Sequence, residues 1–187
     1  MERFWRAIFG NDRPVEIEIG PGTGTFILPA AGRCPETNFF GIEHSRGRAF
    51  RLQAAIAARG LTNARVLAAD ATCVVATLVP RASVHAVHIY FPDPWWKRRH
   101  HRRRLFTPQF VAVLAGVLVP RGRLYVATDV EEVFALILRT LERCAMVRDE
   151  SMRSPRIGVT AFERKGLNRG AAIQEATFVK LQPTSGN

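Results

Sequence analysis

The chain has 187 residues, 47% of them hydrophobic and 23% charged, with a formal charge of +11. That length suits one domain with a real core and leaves no room for two full catalytic domains, while the apolar content excludes wholesale disorder. The positive balance points to a polyanionic partner if the charge is concentrated, and to a plain solvated surface if it is spread.

Taken in order, the chain begins MERFWRAIFG, which has no apolar h-region and no cleavage signal, so no secretion is expected. Residues 1–14 read as a short N-terminal segment of a single domain covering 1–187. Val15 to Ile19 alternates as a first strand, and Gly20-Pro21-Gly22-Thr23-Gly24 follows as a turn. Thr25 to Ala31 reads as a helix and Asn38 to Ile42 as a second strand. Arg46 to Arg59 has helical spacing, with Phe50, Ala54 and Ala57 on one side, and Gly60 closes it as a C-cap glycine does. Arg65 to Ala69 and Val84 to Phe91 read as strands three and four. Phe110, Leu114, Val117 and Leu118 mark a helix that stops at Pro120. A fifth strand, Arg123 to Thr128, precedes a helix from Val130 to Arg143. Ala145 to Arg148 and Thr177 to Leu181 are short late strands.

The longest apolar run, Phe110 to Val119, is broken by Gly116 and falls short of the ~18 residues of a membrane span. Cys34, Cys73 and Cys144 are odd in number and widely spaced, which suggests neither a zinc site nor a disulfide framework. A reducing, cytoplasmic location is expected.

Repeated strand, turn and helix is the pattern of an α/β fold, an open parallel sheet with helices on both faces. Right-handed crossovers place the strand C-termini along one rim, where ligands bind. Gly20 to Gly24, Glu43, Asp70, Asp93 and Asp129 follow strands one to five in turn, so glycines or carboxylates reach that rim from each. The Gly20-x-Gly22-x-Gly24 spacing differs from the GxGxxG of dinucleotide folds. It suits a nucleoside without a pyrophosphate, of which S-adenosyl-L-methionine is the commonest on this fold; a plain tight turn explains it almost as well. Glu43 is placed to accept both ribose hydroxyls, against the alternative of an exposed loop acid. Asp70 is placed either to meet the adenine amino group or to cap the helix that follows. Glu18 either faces the methionine ammonium or caps a turn.

Residues 89–105, IYFPDPWWKRRHHRRRL, are the most informative. Asp93 is clamped between Pro92 and Pro94, which restrict the backbone around it and hold the carboxylate at the rim. Trp95 and Trp96 offer faces for a base, with core burial of Trp95 an equal alternative. Six fixed cations and two histidines then fall in one block, Lys97-Arg98-Arg99-His100-His101-Arg102-Arg103-Arg104, although the chain has only three lysines and scatters most of its 24 arginines. This concentration favours a track for nucleic-acid phosphates over a compositional bias.

Glu18-Ile19-Gly20-x-Gly22-x-Gly24, Gly41-Ile42-Glu43, Phe91-Pro92-Asp93-Pro94-Trp95-x-Lys97, the basic run, Ala127-Thr128-Asp129 and Thr160-x-Phe162-Glu163 together resemble the tRNA (guanine-N7-)-methyltransferases. The likeness runs from about Val15 to Phe178. Its proline-aspartate segment with the basic run is specific, whereas the glycine motif is shared by methyltransferases in general. The resemblance implies a Rossmann-like class I methyltransferase fold: seven strands, mostly parallel, with the last antiparallel. It implies methyl transfer from S-adenosyl-L-methionine to N7 of a guanine in the tRNA variable loop. It also implies that Glu18, Gly20, Gly22, Gly24, Glu43, Asp70 and Asp93 contact the cofactor, with Asp93 catalytic. Lys97, Asp129, Thr160, Phe162 and Glu163 would contact the substrate, and Arg99, His100, His101, Arg102, Arg103 and Arg104 the RNA. No metal and no membrane are expected, and the protein is expected as a monomer or homodimer acting on tRNA. Members usually carry a longer segment before the first strand, and His44-Ser45 and Trp96 depart from their pattern. Two other readings are a nicotinamide-dependent oxidoreductase, disfavoured by the glycine spacing, and a non-catalytic RNA-binding module, disfavoured because every acid of the site is present.

Overall fold

A computed structural model describes residues 2–93, 105–144, 146–152, 155 and 172–180. The elements run α1 (Glu2–Phe9), β1 (Val15–Ile19), α2 (Ile27–Arg33), β2 (Asn38–Glu43), α3 (Arg46–Ala58), β3 (Ala64–Ala68), α4 (Ala71–Thr77), β4 (Val84–Tyr90), α5 (Pro108–Val117), β5 (Leu118–Thr128), α6 (Glu131–Leu141), β6 (Met146–Arg148) and β7 (Gln174–Lys180). Seven strands form one sheet in the order β3-β2-β1-β4-β5-β7-β6. β1 pairs in parallel with both β2 and β4, and β7 runs antiparallel to β5 and β6. Strand order reverses between β1 and β4, which opens the rim at that point.

Alternation along the strands sends side chains to two cores. Ile17, Ile42, Val87, Ile89, Leu124, Val126 and Phe178 face one side, packed with buried residues of α1, α4, α5 and α6. Phe39, Ala64 and Val66 face the other, against α2 and α3.

The structure differs from the sequence reading in several places. The N-terminal segment contains a helix, α1, which the sequence reading lacks. Trp5 is only 6% exposed, its ring lies 5.5 Å from that of Phe40, and its indole N–H donates to Ser83 Oγ at 3.0 Å. α4 entered the sequence reading only as the helix that Asp70 caps in one of its two roles, without a range, because its β-branched sequence carries little helical signal. α2 starts at Ile27 instead of Thr25 because the glycine turn continues through Phe26. Pro120 lies inside β5, since the backbone is already extended at Leu118, the C-cap of α5. An irregular register between Val84 and Ala86 and a left-handed Arg121 absorb the proline. The side of α3 carrying Phe50, Ala54 and Ala57 faces solvent; Ala49, Leu52 and Ile56 are buried. Leu52 decides this orientation. Its Cδ1 lies 2.4 Å from the point where a Cβ on Gly24 would stand, so α3 docks its aliphatic side on the glycine turn.

Candidate active site

The turn after β1 requires glycine. Gly20, Gly22 and Gly24 all have left-handed backbones, with φ of 74°, 56° and 83°. At Gly24 a side chain would also strike Leu52 and Leu28. The turn is tied to the next strand twice: Gly20 N–H donates to Ile42 O at 2.9 Å, and Gly22 N–H donates to Glu43 Oε2 at 3.0 Å.

Glu43, the last residue of β2, is 2% exposed, which excludes the exposed-loop alternative. Its Oε1 accepts from Ser45 N–H at 2.8 Å and from Arg48 Nε and Nη2 at 3.1 and 2.9 Å. The carboxylate thus fastens the glycine turn to the first turn of α3. Arg48 was not legible as a partner. Its only signal is a cation one helical turn into the element that follows the acid.

Glu18 lies on the same side of the sheet, 5% exposed, and its Oε2 has no hydrogen-bond partner among the described residues. Burial pushes the Glu18 carboxyl up to about 8, the negative Glu43 adds to the rise, and a hydrogen bond from the Ile27 backbone opposes it. An orphaned buried carboxyl oxygen is expensive unless a ligand meets it.

Asp70 is exposed at the end of β3 and caps α4, accepting from Cys73 N–H at 3.1 Å and from the Thr72 hydroxyl. The Thr72 hydrogen bond first, and more weakly the backbone of Cys73 and the charge of His44, hold its carboxyl below the usual range. The helix-cap reading of Asp70 therefore holds. Asp93 is exposed just past β4, after Phe91, whose left-handed backbone (φ 51°) donates its N–H to Ala127 O at 2.7 Å. Asp129 is half-buried just past β5. The structure thus brings Glu18, Glu43, Asp70, Asp93, Asp129 and the three glycines to the strand C-termini. Lys97, Arg99, His100, His101, Arg102, Arg103, Arg104, Thr160, Phe162 and Glu163 lie outside the described residues, as do Trp95 and Trp96.

A second polar group escaped the sequence reading. His88 is fully buried, with Nε2 2.8 Å from Glu16 Oε2 and Nδ1 2.9 Å from Tyr90 Oη. Its ring sits between Phe26, at 4.3 Å, and Tyr125, stacked at 5.0 Å. The matching parity of Glu16 and His88 on neighbouring strands was the available signal. Among the described residues no group of three or more His, Cys, Asp or Glu is arranged to hold a metal, and no helix is long and apolar enough to cross a membrane.

Residues 12–176 match a family model described as "Putative methyltransferase". The chain is 38% identical over 183 residues to the tRNA (guanine-N(7)-)-methyltransferase of Cupriavidus necator, covering 94% of this chain and 70% of that protein. The chain belongs to the tRNA (guanine-N7-)-methyltransferase family. The enzyme of that name from Rhodopirellula baltica is 36% identical over 187 residues, covering 94% of this methyltransferase and 69% of its relative. The crystal structure of the 16S rRNA methyltransferase KamB superposes with a TM-score of 0.69 at 16% identity, covering 97% of this chain and 94% of that one. That likeness shows the fold alone: a class I methyltransferase sheet with its seventh strand antiparallel. Membership of the family decides against the oxidoreductase and the non-catalytic module.

Proposed function

We propose that this methyltransferase transfers the methyl group of S-adenosyl-L-methionine to N7 of a guanine in the tRNA variable loop. The observation that carries the reading is the unpartnered, buried Glu18 oxygen beside the Gly22–Glu43 hydrogen bond. An acid left without a partner, next to a turn whose three left-handed glycines leave the backbone bare, fits the ammonium end of that cofactor. When bound, S-adenosyl-L-methionine supplies a methyl group carried on a cationic sulfonium.

The chain's own residues then bind and align. Glu18 meets the ammonium, Glu43 the ribose hydroxyls and Asp70, whose two capping contacts share Oδ1, the adenine amino group as well, while the backbone of Gly20, Gly22 and Gly24 allows close approach. Guanine N7 is unprotonated and nucleophilic at neutral pH, so no strong general base is needed. The requirement is that N7, methyl carbon and sulfur lie in line, which is catalysis by proximity and orientation. Asp93 orients the base through its amino edge and favours the positive charge that develops on it. Lys97, Asp129, Thr160, Phe162 and Glu163 position the nucleotide, and Arg99 to Arg104 hold phosphates. Acids at the rim of a chain of charge +11 suit a cationic cofactor and a polyanionic substrate together.

The test is incubation with methyl-labelled S-adenosyl-L-methionine and unmodified tRNA, followed by mapping of the labelled nucleotide. Label in a variable-loop 7-methylguanine is expected from wild type and lost in Asp93→Ala, with the fold of the variant unchanged by circular dichroism. Label on another base, or near-normal single-turnover rates in Asp93→Ala, would overturn the reading.

A further inference from the structure

The outer face of α3 offers a feature the reaction has not absorbed. Phe50 is 72% exposed, the most exposed large hydrophobic side chain among the described residues. A single exposed aromatic is ordinary on a protein surface; its surroundings are not. Arg46 and Phe50 are i,i+4 neighbours on the helix and Arg51 follows directly, all three exposed. The Arg51 guanidinium folds back over Gly47, 3.8 Å from where a Cβ would stand. Gly47 and Ala54 leave the face shallow. α3 contains three arginines and no acid. Arg48 is held by Glu43, whereas Arg46 and Arg51 form no ion pair among the described residues. Position supplies the second argument. α3 starts three residues after Glu43, so this face is carried by the turn that fastens the cofactor acid. In the sheet, β2 lies one strand beyond β1 from β4, so the end of β2 is ~10 Å from the end of β4. A single RNA segment spans that distance.

We propose that Arg46, Phe50 and Arg51 form a second docking surface for the tRNA substrate, on the side of the glycine turn away from β4. The arginines take phosphates, and the phenylalanine stacks on an unpaired base or its sugar. The proposal rests on the tRNA reaction above. It adds to that reaction a footing distant in sequence from the basic block 97–104.

The experiment measures binding of unmodified tRNA to the full chain over 50–200 mM salt, with calorimetry of S-adenosylhomocysteine and sedimentation velocity on the same samples. Arg46→Ala/Arg51→Ala should reduce the log–log salt slope by about 1.4 to 1.8. Phe50→Ala should weaken tRNA binding about tenfold with the slope kept. Phe50→Leu should weaken it similarly, because an apolar side chain without a ring does not stack. S-adenosylhomocysteine affinity should stay at the wild-type value in all three, which also reports that they are folded. If wild type methylates tRNA and the variants bind it with unchanged affinity and slope, the α3 surface is excluded while the reaction stands. A concentration-dependent dimer abolished by Phe50→Ala but kept by Phe50→Leu, with tRNA binding unaltered, would assign the face to a second copy and overturn the proposal. Failure of wild type to methylate any tRNA defeats the reaction and the proposal together.

Discussion

Glu18 gives the sharpest test of the site. Its carboxyl is buried, lacks a partner for Oε2 and is pushed up to about 8, so at pH 7 about nine-tenths of the unliganded enzyme holds it protonated. A cationic ammonium placed against it favours the ionised form, so binding must expel a proton. Removing that proton at pH 7 costs about 1.4 kcal/mol, and a hydrogen bond to the resulting charged group returns ~1.5–3 kcal/mol. The net gain at pH 7 is therefore small, and it disappears by pH 6, where deprotonation costs about twice as much. Isothermal titration calorimetry with S-adenosyl-L-methionine at pH 6, 6.5 and 7, each in two buffers of different ionisation heat, reads both affinity and protons released. Wild-type affinity should rise roughly two- to sixfold over that unit, with the protons released per ligand growing from a minor fraction at pH 6 to about half or more at pH 7. Glu18→Gln should bind with no pH dependence, up to about tenfold weaker than wild type at pH 7 and nearly equal at pH 6. A flat wild-type affinity with no proton released, matched by Glu18→Gln throughout, would refute the pairing of Glu18 with the ammonium.

The same carboxyl governs the unliganded protein. A folded-state value raised from 4.5 to about 8 means the native state keeps a proton that the unfolded chain releases, so stability is full below about 4.5 and declines as pH rises through about 8. The loss should total on the order of 4 kcal/mol and be absent in Glu18→Gln, as chemical denaturation at pH 5 and pH 8.5 would register. Glu43→Ala should weaken S-adenosyl-L-methionine by ~1.5–3 kcal/mol or more in calorimetry, and should also lower Tm, because Gly22, Ser45 and Arg48 lose their common acceptor. Trp5→Ala should destabilise the fold by ~3–5 kcal/mol in urea unfolding, since the indole is buried and hydrogen-bonded to Ser83. Replacing Arg102, Arg103 and Arg104 by Ala should lower the salt slope of tRNA binding by about two to three in filter binding, with cofactor affinity unchanged.

Sequence alone determined what depends on near neighbours. The two-residue alternation of Val15 to Ile19 and the apolar run in Asn38 to Ile42 marked the first two strands, and the glycines that end the first required no knowledge of the rest of the chain. The glycines following strand one and the acids following strands two to five could be assigned to one rim because right-handed crossovers leave parallel strands no other arrangement. Tertiary structure decided whatever depends on which surfaces meet. Periodicity placed a helix at Arg46, but only the fit of Leu52 against Gly24 settled that Phe50 faces outward. α1 is too short to be stable alone and exists because Trp5 and Phe9 find the edge of the core. Asp70 carried two roles in sequence, and the backbone of α4 realised the capping one. Glu18 and Glu43 look alike in the chain, yet they differ in chemistry. Glu43 collects four donors from two other elements, while Glu18 is covered by its neighbours with one oxygen unmet. Burial and hydrogen-bond partners belong to residues brought together from distant parts of the chain, so the protonation of the Glu18 carboxyl could be read only after folding had supplied its surroundings.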